Sequence, residues 1–290
     1  MKNNITPFQQ IRSKPKQVPT LAKSMHVLMQ ALADDDLNYQ QLAKIIKQYP
    51  GITARIIFLA NSTWSAPIAP ISSIELACSR LGITIVKSIS LAISISSSFS
   101  TKNCPFFNTV HFWTTALLVS EGAGLLASKL PDQIANLEFE HTVQTAGILH
   151  SLGLLWLADN LPSETNNAFQ LVIDKSSSHS VIESLRQCTG TDYSEVAGWL
   201  AQELKFPEVL ITILEQQLNQ DYQESSWEMA LIIRSAAQMA SALHKQSDKI
   251  PTISRLEILG LDSSTQNDVF QQLSNNFEKT CELANLLFEG

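Results

Sequence analysis

Apolar residues recur every three or four positions along most of the chain, and that spacing predicts helices. In 20–32, TLAKSMHVLMQAL, residues Leu21, Met25, Leu28, Met29 and Leu32 share one face, with Thr20 as a cap. The polar run 34–36 breaks the pattern. Asn38-x-x-Gln41 then has capping-box form and opens a second helix with Leu42, Ile45, Ile46 and Tyr49 inward, closed by Pro50-Gly51. A third helix covers about 52–60, through Ile52, Ile56, Ile57 and Leu59. The two-proline stretch NSTWSAPIAPIS reads as loop. Ser72-x-x-Glu75 starts the next helix, for which Gly82 is a suitable C-terminal cap. Segment 84–99, TIVKSISLAISISSSF, alternates enough to suggest a strand. Helix is the better reading, because every neighbour is helical and a lone strand would have no partner.

The same periodicity predicts helices over 108–129, 139–150, 164–174 and 179–187. Asp192-x-x-Glu195 is a further capping box leading into Val196, Trp199, Leu200 and Leu204. Pro207 suits the first turn of a helix running to about Leu218. A long helix follows over 226–245, and the last, 265–288, places Phe270, Leu273, Phe277, Cys281, Ala284 and Leu287 at spacings of three and four. No repeat or hairpin signal interrupts this, so the fold class is all-α.

Composition narrows the picture. The 290 residues are 44% hydrophobic and 16% charged, a globular balance, and only 10 Gly and 11 Pro favour long helices over a turn-rich fold. A net charge of −7 argues against steering toward nucleic acid. The densest basic cluster, Arg12, Lys14, Lys16 and Lys23, reads as a solvated N-terminal arm. Cys78, Cys104, Cys188 and Cys281 are far apart and form no CxxC pair, as expected of buried free thiols in a reducing compartment. The N-terminus lacks a signal-type apolar core, and 81–95 is too polar for a membrane span, so the expected location is cytoplasmic.

Little in the chain suggests covalent catalysis. No G-x-S-x-G is present, and GAG at 122–124 reads as close helix packing, not a phosphate loop. Cys104, ahead of Pro105, reads as an ordinary thiol. Of the tryptophans, Trp113, Trp156, Trp199 and Trp227 fall on apolar helix faces. Trp64 lies in the proline-containing loop, either as an exposed interaction anchor or as the cover of a helix end. The stretch GILHSLGLL (147–155) places His150 beside Ser151 at the end of an apolar run.

Several stretches together resemble one family: VPTL (18–21), LAKIIKQYPGITARIIFLANS (42–62), PISSIELACSRLGI (70–83), FWTTALLVS (112–120), AGILHSLG (146–153) and TGTDYSEVAGWLAQELKFPEVL (189–210). They resemble the HDOD domain, a bacterial all-α relative of the HD phosphohydrolases, over about 15–218. The run YPGITARIIFLANS carries the most specific part of the likeness. The resemblance implies a helical subdomain at about 15–100 and an HD-like one at 101–218. Residues 1–14 would be an arm, and 219–290 a helical extension packed on the core.

Active HD enzymes hold divalent metal with His, an adjacent His-Asp pair and a later Asp, because a divalent ion needs converging donors and carboxylates to offset its charge. By the resemblance, Thr115 stands where the first histidine would be, and the His-Asp pair is His150-Ser151. Tyr193 replaces a later histidine, Gln217 falls on a possible His-His pair with Leu218, and Gln238 takes the place of the final aspartate. One expected ligand is left, so the implied pocket of His150, Ser151, Thr115, Tyr193, Gln217 and Gln238 holds no metal and no catalytic residue. His150 itself reads as a buried histidine hydrogen-bonded at a helix end. A substitute cluster of His111, His141 and His150 with Glu121, Glu138 or Glu140 lacks ligand spacing.

The resemblance therefore implies a non-catalytic signalling module without cofactor. Its expected partner is another signalling protein; a small nucleotide-like ligand in the remnant pocket is a second possibility, and nucleic acid and membrane are not expected. The competing expectation is a metal-dependent phosphohydrolase with rearranged ligands and a divalent metal cofactor.

Overall fold

The structure is a computed structural model that describes residues 6–12, 37–65, 67, 69–173, 180–247, 251 and 253–288. The expected helix at 20–32, the VPTL stretch and Lys14, Lys16 and Lys23 lie outside the described residues. Every regular element among the described residues is a helix: α1 Pro7–Arg12, α2 Tyr39–Ile46, α3 Pro50–Ala60, α4 Ile74–Leu81, α5 Ile83–Ser96, α6 Thr109–Ala127, α7 Leu137–Leu149, α8 Leu152–Asn160, α9 Pro162–Ile173, α10 Val181–Thr189, α11 Tyr193–Glu203, α12 Glu208–Gln216, α13 Trp227–His244, a 3-10 helix Ser254–Leu259, and α14 Ser263–Phe288. The all-α reading holds.

The chain forms two compact units, each assembled from separate stretches. One comprises 1–20, 98–109 and 149–231; the other 21–97, 110–148 and 232–290. The domain boundaries expected from sequence run consecutively, whereas these units are interleaved along the chain. Periodicity marks elements, and cannot show which distant elements share a core.

In the second unit, the Asn38 capping box forms as expected: Asn38 Oδ1 accepts from the Gln40 and Gln41 amides, and Gln41 Oε1 accepts from the Asn38 amide at 2.8 Å. Pro50 opens α3; it does not merely end α2. Ser73, not Ser72, caps α4 through the Leu76 amide. The ambiguous 84–99 stretch is helical as α5. Its β-branched residues are tolerated because nearly every side is buried, and Ser94 satisfies its hydroxyl on the Ser90 carbonyl at 2.7 Å. Gly82 (φ 87°) joins α4 to α5 at a 111° bend, a conformation that disfavours other residues. No single helix among the described residues is long and apolar enough to cross a membrane.

The C-terminal stretch is integral to this unit. Arg55 of α3 donates to the Leu287 carbonyl at 2.7 Å, and Trp113 stacks on Phe288 with centroids 4.6 Å apart. A Cβ on Gly122 would lie 3.0 Å from Leu273 and 3.3 Å from Ala236, so GAG is the close-packing point of α6, α13 and α14.

In the first unit α8 packs against both α9 and α11, α9 against α10, and α11 against α12. Ser194 fixes α11 on α12 by donating to the Leu214 carbonyl at 2.7 Å and Glu215 at 2.9 Å. Helix α8 escapes sequence periodicity because LGLLWLADN is apolar almost all round, so it shows no single face. Helix α1 replaces the expected solvated arm, since Phe8 is buried. Trp113, Trp156 and Trp199 are core as expected, but Trp227, at the first turn of α13, is only half-buried.

Candidate functional site

Helix α7 ends at Leu149, and His150 and Ser151 form the turn into α8. Both are buried, at 3% and 6% exposure. Helix α8 crosses α11 at Gly153, where a Cβ would lie 2.1 Å from the Tyr193 carbonyl oxygen. Only glycine permits that approach, and it brings Tyr193 edge-on to His150, with ring centroids 6.5 Å apart at 87°. Gln217, just past the end of α12 and 1% exposed, donates from Nε2 to the His150 carbonyl at 2.7 Å and to the Leu214 carbonyl at 3.0 Å. His150, Tyr193 and Gln217 thus meet within the first unit, with Ser151 next to His150 in the turn.

Around His150, the side chains of Ser151, Tyr193 and Gln217 carry no charge. Burial first, and the Asp192 carboxylate second, push the Tyr193 phenol well above its ordinary pKa, so it stays protonated. Asp192 is the nearby carboxylate, and both its oxygens are engaged. Oδ1 caps α11 by accepting from the Ser194 and Glu195 amides, and Oδ2 accepts from Arg186 Nε at 2.9 Å and Nη2 at 2.6 Å. The capping box expected at Asp192 is therefore half realised: Glu195 receives the Thr191 hydroxyl. Ser151 Oγ and Gln217 Oε1 are buried with no hydrogen-bond partner. Such orphans suit a water or a small polar group. They do not suit a divalent ion, which takes carboxylate or imidazole donors that offset its charge; here the donors are a hydroxyl, an amide, a phenol and one imidazole.

Thr115 and Gln238 belong to the second unit. Gln238 is a correction: it is exposed, on the outer side of α13, while Ser235, Ala236, Met239 and Ala240 face inward. Thr115 donates to the His111 carbonyl at 2.8 Å and lies 2.9 Å from His244 Nε2. The His111 and His244 rings lie against each other, tilted by 40° with centroids 3.9 Å apart, and Phe277 meets His244 edge-on at 5.3 Å. Sequence reasoning does not find this pairing. The histidines lie on helices far apart in sequence, and no local spacing signals it. Desolvation, then His111, lowers the His244 pKa from 6.5 to about 4, and desolvation lowers that of His111.

The substitute metal cluster does not form: among the described residues no three His, Cys, Asp or Glu side chains converge as ligands. Glu121 is held by Asn276 at 2.6 Å, Glu140 accepts from Gln144 at 3.2 Å, and Glu138 is exposed. The Trp64 indole N–H donates to the Lys279 carbonyl at 2.9 Å, within α14 and not at a helix end, and the Lys279 ammonium lies 5.0 Å from its ring. Cys104 is buried and its thiol pKa is raised by desolvation, in line with an ordinary thiol.

Comparison with solved structures agrees with the fold. A candidate signal transduction protein from Marinobacter aquaeolei VT8 superposes with a TM-score of 0.82 at 19% identity, over 97% of this chain. The chain spans 63% of that protein's length. An HDOD domain protein of unknown function from Geobacter sulfurreducens matches with a TM-score of 0.69 at 19% identity, covering 93% of each chain. A candidate phosphohydrolase from Shewanella amazonensis SB2B matches with a TM-score of 0.70 at 22% identity, covering 96% of this chain and 97% of its own. No protein of curated function matches. The HDOD domain family model matches residues 18–220, which is most of the chain and includes the helices that carry His150, Tyr193 and Gln217; the protein belongs to the HDOD domain family.

Proposed function

We propose that this HDOD protein is a non-catalytic regulatory module that acts by binding another signalling protein in the cytoplasm. The observation that carries this reading is the neutral donor set around His150. At the positions that the family resemblance assigns to metal ligands, Ser151, Tyr193 and Gln217 offer no charge, and the adjacent carboxylate of Asp192 is held by a helix cap and Arg186. A metal-activated water, the nucleophile of a phosphohydrolase, would have only the His150 imidazole among these donors to hold its ion, with no carboxylate to offset the charge. The buried orphan oxygens of Ser151 and Gln217 support a subsidiary role for the cluster, as the seat of a small polar or nucleotide-like ligand. Nucleic acid is a poor partner for a chain of net charge −7.

The competing reading, a metal-dependent phosphohydrolase, is motivated by the description of the Shewanella relative. Hydrolysis of chromogenic phosphomonoesters and phosphodiesters in the presence of Mn2+ separates the two. Wild type and His150→Ala are both expected at the rate of buffer alone. Turnover by wild type that disappears in His150→Ala overturns the non-catalytic reading.

A further inference from the structure

Helix α1 is seated on the first unit chiefly by Phe8, with Thr6 and Arg12 in contact at its two ends. It is capped reciprocally, Thr6 N–H donating to Gln9 Oε1 at 3.1 Å and Gln9 N–H to Thr6 Oγ1 at 3.3 Å. Phe8, 2% exposed, meets Trp156 edge-on at 5.9 Å and Trp199 at 5.8 Å, and the two indoles meet each other at 5.3 Å. The Arg12 guanidinium lies 6.0 Å from the Phe8 ring and 5.9 Å from that of Trp199. Gly190 (φ +81°) seats the start of the helix: a Cβ there would lie 2.3 Å from that of Thr6. Gln9, Gln10 and Arg12 are exposed, and six residues are too few for a helix to stand without its docking contacts.

The slot that receives Phe8 is built by the helix pair that carries the His150 cluster. Trp156 follows His150-Ser151 along α8, Trp199 follows Tyr193 along α11, and the two helices cross at Gly153, between the cluster and the slot. Any change in the spacing of α8 and α11 at the slot is therefore a change at the cluster, because close-packed helices move as bodies.

We propose that α1 is a detachable strap, whose seating of Phe8 between Trp156 and Trp199 sets the spacing of α8 and α11 and whose release reshapes the polar cluster at His150. The inference rests on the regulatory reading above and supplies its moving part: a signal that pulls on the N-terminal segment reaches the cluster through one helix pair.

The test uses the full chain labelled with 15N and 5-fluorotryptophan. In Phe8→Ala, the fluorine signals of Trp156 and Trp199 are expected to shift and exchange of the Gln217 side-chain amide to quicken at least ten-fold. The signal of Trp113, in the other unit, stays in place. Adding the peptide TPFQQIR restores the wild-type spectrum, and the same peptide carrying Phe8→Ala does not. Unchanged Gln217 exchange beside shifted Trp156 and Trp199 signals overturns the proposal. So does a Trp113 signal that moves with the others, which marks general loosening. Should Phe8→Ala fail to fold, Phe8→Leu carries the same test with a smaller expected shift, since it keeps apolar bulk without the ring. None of these readouts involves metal or hydrolysis. A failed strap leaves the non-catalytic reading untouched, and a measured phosphatase activity leaves the strap result standing.

Discussion

The side-chain amide of Gln217 donates to the backbone carbonyl of His150 at 2.7 Å, tying the end of α12 to the turn between α7 and α8. The same amide holds the Leu214 carbonyl at 3.0 Å, so one buried side chain satisfies two carbonyls. Gln217→Ala removes both of these buried hydrogen bonds and is expected to lower stability by about 1–3 kcal/mol. Urea denaturation checks it; a midpoint equal to that of wild type would show the tie to be idle.

The Gly153 crossing predicts a contrast between two glycines. Gly153→Ala places a Cβ 2.1 Å from a backbone oxygen, which no side-chain rotation relieves. Overpacking of this kind costs about 1–3 kcal/mol or more. Gly51, in the first turn of α3, has open space where a Cβ would stand, with nothing within 4 Å. Gly51→Ala is expected to be neutral or stabilising by up to about 1 kcal/mol. Thermal unfolding of both variants checks the pair. Equal behaviour would contradict the close crossing.

The paired histidines predict a pH dependence. His244 has its pKa lowered from 6.5 to about 4 by desolvation and by His111, so the unfolded chain takes up a proton that the folded chain refuses. Its contribution is present above pH 6.5 and is lost as pH falls toward 4. His244→Gln is expected to flatten this part of the stability profile. The check is the difference in unfolding midpoint between wild type and variant at about pH 7.5 and about pH 5, either side of the ordinary histidine pKa. A difference that does not change with pH would contradict the buried pairing.

All four thiols have raised pKa values, with desolvation the leading cause, and Cys78 reaches about 11. The native protein is expected to react with a thiol reagent at neutral pH far more slowly than the denatured chain, since the thiolate is the reactive form. A colorimetric thiol titration reads this directly, and a fast native phase would contradict it.

Sequence periodicity locates most helices because most have one apolar face, as the Asn38 box and the spacing in α14 illustrate. It misses α8, which is apolar all round, and α1, whose six residues carry a single buried side chain. The candidate cluster is legible where it depends on residues close to recognisable motifs: His150, Ser151 and Tyr193. Gln238 is misplaced by the sequence, because an Ala-rich helix such as α13 offers several registers for one aligned position, and the structure turns that one outward. The His111–His244 contact and the Phe8 slot depend on which distant helices meet, and no local pattern encodes that.

Native mass spectrometry of the untagged protein, purified without chelator, tests the non-catalytic account most directly. The neutral cluster around His150 predicts the mass of the bare chain, with no stoichiometric divalent metal. A bound metal at one equivalent in wild type, absent from His150→Ala, would contradict it.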